Sequence, residues 1–125
     1  MVRFKNRYIL VDYTDMPFDD QPTERTLLRI IKETSQNMMG ELFLAKIAYS
    51  LQIKYFSHGR AIIRVPRDHA TDLQACLFVI RGMKVLQISG VIRGIQKRLF
   101  ELMRRELRRE LTENEEDTIK KIDYA

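Results

Sequence analysis

Two short stretches carry side chains whose types and spacing suit chemistry. RFKNR, near the start, places Arg3, Lys5 and Arg7 at alternate positions. In an extended segment all three fall on one side, a geometry that can follow a phosphate backbone; plain solubilising charge at a strand end is the alternative. ISGVIRGIQKR, residues 88 to 98, closes an apolar run with Ser89 and Gly90 and passes directly into a helical pattern bearing Arg93, Lys97 and Arg98. Either Ser89 caps that helix, or Gly90 lets a nucleic-acid backbone approach closely while the free N–H groups of the first turn point at an anion.

The cations continue beyond that junction. At about 100° per residue, Arg93, Lys97, Arg104 and Arg108 cluster within about 60°, and Arg98, Arg105 and Arg109 share about 40° of the adjoining arc. Ile92, Ile95, Leu99, Met103 and Leu107 fill the opposite side, so the helix is expected to dock by its apolar stripe and present cations outward. Residues 93 to 111 hold seven positive and three negative side chains. Glu101, Glu106 and Glu110 offer the competing view of a solvated face balanced by neighbouring pairs. Arg60, Arg64 and Arg67 either add to the cationic surface or decorate a hairpin.

Catalytic arrangements are poorly supported. His58 and His69 lack a companion at metal-ligand spacing, and no Ser-His-acid set or Gly-rich nucleotide loop is present. Asp15, Asp19 and Asp20 cluster around Pro17 and Pro22, where acids are turn formers more often than metal ligands. Cys76 sits in the apolar run LQACLFVI and reads as a buried structural thiol in a reducing compartment. The expectation is a protein without a catalytic site or metal of its own.

The elements that must position these residues follow from periodicity. RFKNRYILVDY alternates so that both faces look covered beyond Arg7, which suits a central strand. Thr23 and Glu24 introduce a helix with apolar positions Leu27, Leu28, Ile31, Thr34 and Met38, stopped or bent at Gly40. A short helix in GELFLAKIAYS runs into a strand, Ser57-His58-Gly59 marks a hairpin, and RAIIRVP returns. Ala70, Leu73, Leu77 and Ile80 stripe a second helix closed by Arg81 and Gly82, MKVLQIS is the fourth strand, and a last helix spans 91 to 111.

With 125 residues, 45% hydrophobic and 31% charged, the chain suits one globular domain over 1–111 followed by an acidic tail over 112–125, either frayed or a partly helical extension of the last helix. Neither a membrane span nor a secretory leader is expected. The net charge of +5 is concentrated at residues 1 to 13 and 93 to 111, which suggests a polyanion meeting one side of the molecule. The element order makes the fold α+β: a split βαβ, ferredoxin-like or RNA-recognition-like α/β sandwich with a four-stranded antiparallel sheet and a long C-terminal basic amphipathic helix. That layout serves RNA binders, small-anion sensors and stand-alone enzymes alike, so fold by itself selects none of them. RAIIRVP lacks the aromatic side chains that read unpaired bases, so an RNA would be recognised by shape and backbone.

VRFKNRYIL at 2 to 10, KYF at 54 to 56, AIIRV at 61 to 65 and SGVIRGIQK at 89 to 97 together resemble the Pop-five family of protein subunits of ribonuclease P and ribonuclease MRP. The similarity runs in order from the first residue to about residue 105. It implies a noncatalytic subunit that braces a catalytic RNA. That RNA, with bound magnesium, removes the 5′ leader of precursor tRNA in the P particle, and a related RNA serves precursor ribosomal RNA processing in the MRP particle. The implied partners are the RNA, a thirty-kilodalton TIM-barrel subunit and other particle proteins, with precursor tRNA met indirectly. Residence would be nuclear and nucleolar, or cytoplasmic if the source is archaeal. Arg3, Lys5, Arg7, Ser89, Gly90 and Arg93 match the family's motifs, and Val91 departs from them by replacing a threonine.

Overall fold

In the computed structural model, residues 5–18 and 21–123 are described, with side chains up to residue 109. β1 (Asn6–Asp12) is followed by α1 (Glu24–Met39), α2 (Glu41–Ile47), β2 (Gln52–Ser57) and β3 (Arg60–Pro66). A 3-10 turn, Arg67–His69, leads into α3 (Ala70–Val79), β4 (Lys84–Ser89) and α4 (Ile92–Asp123). The sheet order is β2-β3-β1-β4 with every neighbouring pair antiparallel, the ferredoxin-like arrangement expected from the element order. No helix among the described residues is long and apolar enough to cross a membrane.

β1 is central, and Ile9, Leu10 and Val11 are fully buried, because successive side chains point to opposite faces and both are covered. Ile9 and Val11 join Ile63 and Val65 of β3, Leu27 and Ile31 of α1, and Leu73 and Leu77 of α3 in one core under the helices. Each such aliphatic side chain contributes about 1.5–3 kcal/mol by leaving water. Leu10, opposite Ile62, is buried on the other face.

α1 begins where Thr23 Oγ1 accepts the Thr26 N–H at 3.2 Å, and stops at Gly40, whose φ of 89° only glycine adopts without strain. Its buried row is Leu27, Ile31 and Ser35: the first two are as expected, Ser35 takes the place expected of Thr34, and Met38 is exposed. Ser35 tolerates that place because its hydroxyl donates to Ile31 O at 2.8 Å, so the buried hydroxyl is satisfied. The β2–β3 hairpin turns through His58 and Gly59, both at positive φ, as a two-residue hairpin connection with the sheet's twist requires.

The chain divides into two compact units, Met1–Ile95 and Gln96–Ala125. α4 does not end near 111. It runs to Asp123, since the acidic segment is rich in Glu and Lys and has neither Gly nor Pro to break a helix. The side chains expected to make 112–125 an acidic tail lie outside the described residues. On α4, Ile95 is fully buried while Leu107, expected on the docked stripe, is 57% exposed.

Candidate nucleic-acid interface

Antiparallel pairing decides which sequence motifs meet. Tyr8 lies opposite Ser89, so the start of β1 and the end of β4 share one end of the sheet. One residue outward on each strand, the guanidinium of Arg7 lies against Gly90 so closely that a Cβ there would collide with Arg7 Nη1. The same Cβ would stand 3.4 Å from Arg7 Cζ. The two cationic motifs, distant in sequence, therefore form one site, and the bare backbone of Gly90 is what gives Arg7 its place.

Ser89 does not cap α4 in the expected way. Its Oγ accepts the Val91 N–H at 3.1 Å, two residues on, which tightens the strand-to-helix turn ahead of the first helical residue. A Cβ on Gly94 would lie 3.2 Å from that oxygen, so the first turn of α4 packs tightly on the serine. Gly94 N donates to Val91 O at 3.2 Å, closing the turn. The helix geometry leaves the N–H groups of Ile92 and Arg93 without intrahelical acceptors, and no acid occupies this first turn to answer its positive dipole end. An anion from outside is the complement of such a turn.

Lys5 and Arg93 are exposed, Arg7 and Ser89 are half-buried, and Gly90 is exposed. Arg67 N donates to Lys5 O at 2.9 Å, which brings Arg67 to this same end of the sheet. Arg60 belongs elsewhere. It pairs with Asp12 at the opposite end of β1 and is only 7% exposed. Arg64 sits mid-strand opposite Tyr8 and is half-buried. Arg3 lies outside the described residues.

The second unit carries Lys97, Arg98, Arg104 and Arg105. Lys97, Arg104 and Arg105 are exposed, while Arg98 Nη1 meets Glu101 Oε2 at 3.6 Å, an i,i+3 pair that draws part of its charge inward. In the first unit Asp15 pairs with Lys84 Nζ at 2.9 Å, and Asp19 and Asp20 lie outside the described residues. Among the described residues no cluster of His, Cys, Asp or Glu is placed to hold a metal ion. Sequence reasoning missed the Arg7–Gly90 contact; the signal available was that both motifs end strands expected in one antiparallel sheet.

The fold and this site define a ferredoxin-like α/β sandwich whose available chemistry is contact with anions at the end of a sheet. The chain belongs to the Rpp14/Pop5 family, whose model matches residues 7–100. It is 32% identical to the ribonuclease P/MRP protein subunit POP5 of Schizosaccharomyces pombe over 127 aligned residues, covering 86% of this chain and 91% of that protein. In fold it is similar to a chain in the cryo-EM structure of yeast ribonuclease MRP, with a TM-score of 0.59 at 12% identity over 86% of this chain and 98% of that one.

Proposed function

We propose that this protein is a noncatalytic subunit of a ribonuclease P/MRP ribonucleoprotein, which binds and braces the catalytic RNA. The observation that carries the reading is that a relative named as such a subunit aligns over nearly its whole length. The Arg7–Gly90 junction supplies the chemistry. Lys5, Arg7, Arg67 and Arg93 meet phosphates, Ser89 holds the turn, and Gly90 seats Arg7; in the second unit Lys97, Arg98, Arg104 and Arg105 supply phosphate contacts of their own. Arg3 joins the opening cationic row. Cleavage of precursor tRNA leaders, or precursor ribosomal RNA processing, belongs to the RNA and the magnesium bound to it. Other protein subunits, among them a thirty-kilodalton TIM-barrel protein, complete the assembly, and residence in the nucleus and nucleolus follows from that work.

Ultraviolet crosslinking of the tagged chain in living cells, followed by sequencing of the attached RNA, tests this directly. Reads concentrated on one or two abundant structured noncoding RNAs are expected, with precursor tRNA weakly enriched. Reads spread over ribosomal RNA would make the protein a general RNA binder, and absence of recoverable RNA would sink the reading.

A further inference from the structure

A second group of cations lies away from the sheet end. Arg25, Arg29 and Lys32 line a groove of about 290 Å³ along α1, with Leu28 between them and Leu44 of α2 on the far bank. Arg25 and Arg29 are exposed, whereas Leu28 and Leu44 are half-buried, so the floor is apolar and the banks are cationic. The acids nearby are already engaged: Glu33 pairs with Arg29 at 4.0 Å, and Glu41 Oε1 accepts from Gln36 Nε2 at 3.5 Å.

The row at 25, 28, 32, 36 and 39 keeps helical spacing, and Met39, 37% exposed, extends its apolar part to the end of α1. From Arg25 to Met39 the helix rises about 21 Å, four turns. Met38 and Leu42 are exposed beside that end. Phosphate backbone would leave the apolar floor unused, and a wholly apolar segment would cover Arg25 and Lys32 without supplying them an anion, Glu33 being engaged by Arg29. A segment with apolar anchors at i, i+3 and i+7 and carboxylates flanking them satisfies both requirements.

We propose that the α1–α2 groove docks an acidic amphipathic helix of a partner protein. The proposal rests on the subunit reading and gives the particle a protein-facing surface on elements separate from the Arg7–Gly90 site. The test places the photoreactive residue p-benzoylphenylalanine at Gln36 of the full chain in cells, isolates the particle after irradiation, and maps the crosslinked peptide by mass spectrometry. The expected adduct is a protein segment with apolar residues at helical spacing and excess Asp and Glu. Its yield should fall at least about tenfold with Arg25→Glu plus Lys32→Glu, and less with alanine at both, while RNA recovery and thermal stability stay unchanged. An adduct with RNA, with a second copy of this chain or with a segment lacking acidic excess would overturn the proposal. So would absence of an adduct, or a yield indifferent to charge reversal, in particles that still contain RNA. Failure to recover RNA with the unsubstituted chain would overturn the subunit reading instead.

Discussion

Gly90→Ala separates two accounts of the same glycine. In one, Arg7 is the phosphate ligand and Gly90 only makes room for it; in the other, RNA backbone itself rests on Gly90. The new Cβ would sit 3.4 Å from Arg7 Cζ and collide with Nη1, both at the far end of a flexible side chain. Ordinary carbon contacts begin near 3.5–4.0 Å, so the guanidinium must swing aside by about 1 Å. The fold tolerates that, with a stability change of about 0.5 kcal/mol or less and a shift in Tm of no more than about 3 °C. A misplaced arginine at a phosphate contact costs about 1 kcal/mol, roughly fivefold in Kd, and flattens the log–log salt dependence by up to about one unit.

Titration of the purified chain with its particle RNA over a salt series, for the parent, Gly90→Ala, Arg7→Ala and the double variant, measures both quantities. If Gly90 acts through Arg7, the two substitutions share one loss, and Gly90→Ala changes nothing further in the Arg7→Ala background. Additive losses would refute the reasoning and return the glycine to direct RNA contact. An unchanged Kd for Gly90→Ala with a weakened Arg7→Ala would show that the guanidinium has an equally good place elsewhere.

The other expectations are simpler. Arg93→Glu with Lys97→Glu should weaken RNA binding and remove about two units of salt slope without lowering Tm, since both side chains are exposed, and filter binding with a thermal melt reads this. Gly82→Ala should cost about 2–4 kcal/mol in urea unfolding, because φ is 83° and a Cβ would lie 2.5 Å from Asp15 O and 2.8 Å from Met16 Cα, backbone atoms that cannot step aside. Leu77→Ala, in the core, should cost about 2–5 kcal/mol with an unchanged m-value. Burial raises the Cys76 thiol above its ordinary value of 9.0, against a smaller opposing effect of the Ser35 hydroxyl. The unfolded chain therefore loses that proton first as pH rises, so stability should fall above about pH 9. The decline should be shallower in Cys76→Ala, where the similarly raised Tyr13 remains.

Strand and helix order were legible because each element carries a clear period and a clear stop: Gly40, Ser57-His58-Gly59, Pro66 and Gly82 all fall where the chain turns. On α1 the expected row holds at Leu27 and Ile31 and departs at Thr34 and Met38, since hydropathy favours Met38 over Ser35 and cannot see that Ser35 satisfies its own hydroxyl on Ile31 O. A change of charge sign near 111 marks no helix boundary, since Glu and Lys propagate a helix equally well, and of the two expectations for the acidic segment, fraying or helical extension, α4 follows the second by running to Asp123. Within the candidate site, Lys5, Arg7, Ser89, Gly90 and Arg93 were identifiable singly. Their mutual placement needed the strand register, which no local pattern specifies, and the serine's actual bond to Val91 needed the turn geometry. The α1 cations were visible as a helical row in the sequence, but Leu44, which makes that row a groove, comes from another element.

The register also bears on how cations at strand ends would serve the proposed RNA contact. A lysine or arginine on a free terminus loses rotamer and backbone freedom when it meets a phosphate, and that loss offsets much of the attraction. Lys5 is tied through its carbonyl to Arg67 N, and Arg7 is held one residue beyond the Tyr8–Ser89 pair with its guanidinium seated on Gly90. Less is left to order on binding, and the spacing between charges is set by the sheet. A folded RNA presents phosphates at spacings set by its own helices, so a surface with fixed charge spacing favours one RNA conformation over others, whereas mobile charges would attract them all. On the proposed reading such a surface would stabilise a particular RNA fold without reading a base, in keeping with the lack of aromatic side chains on β3.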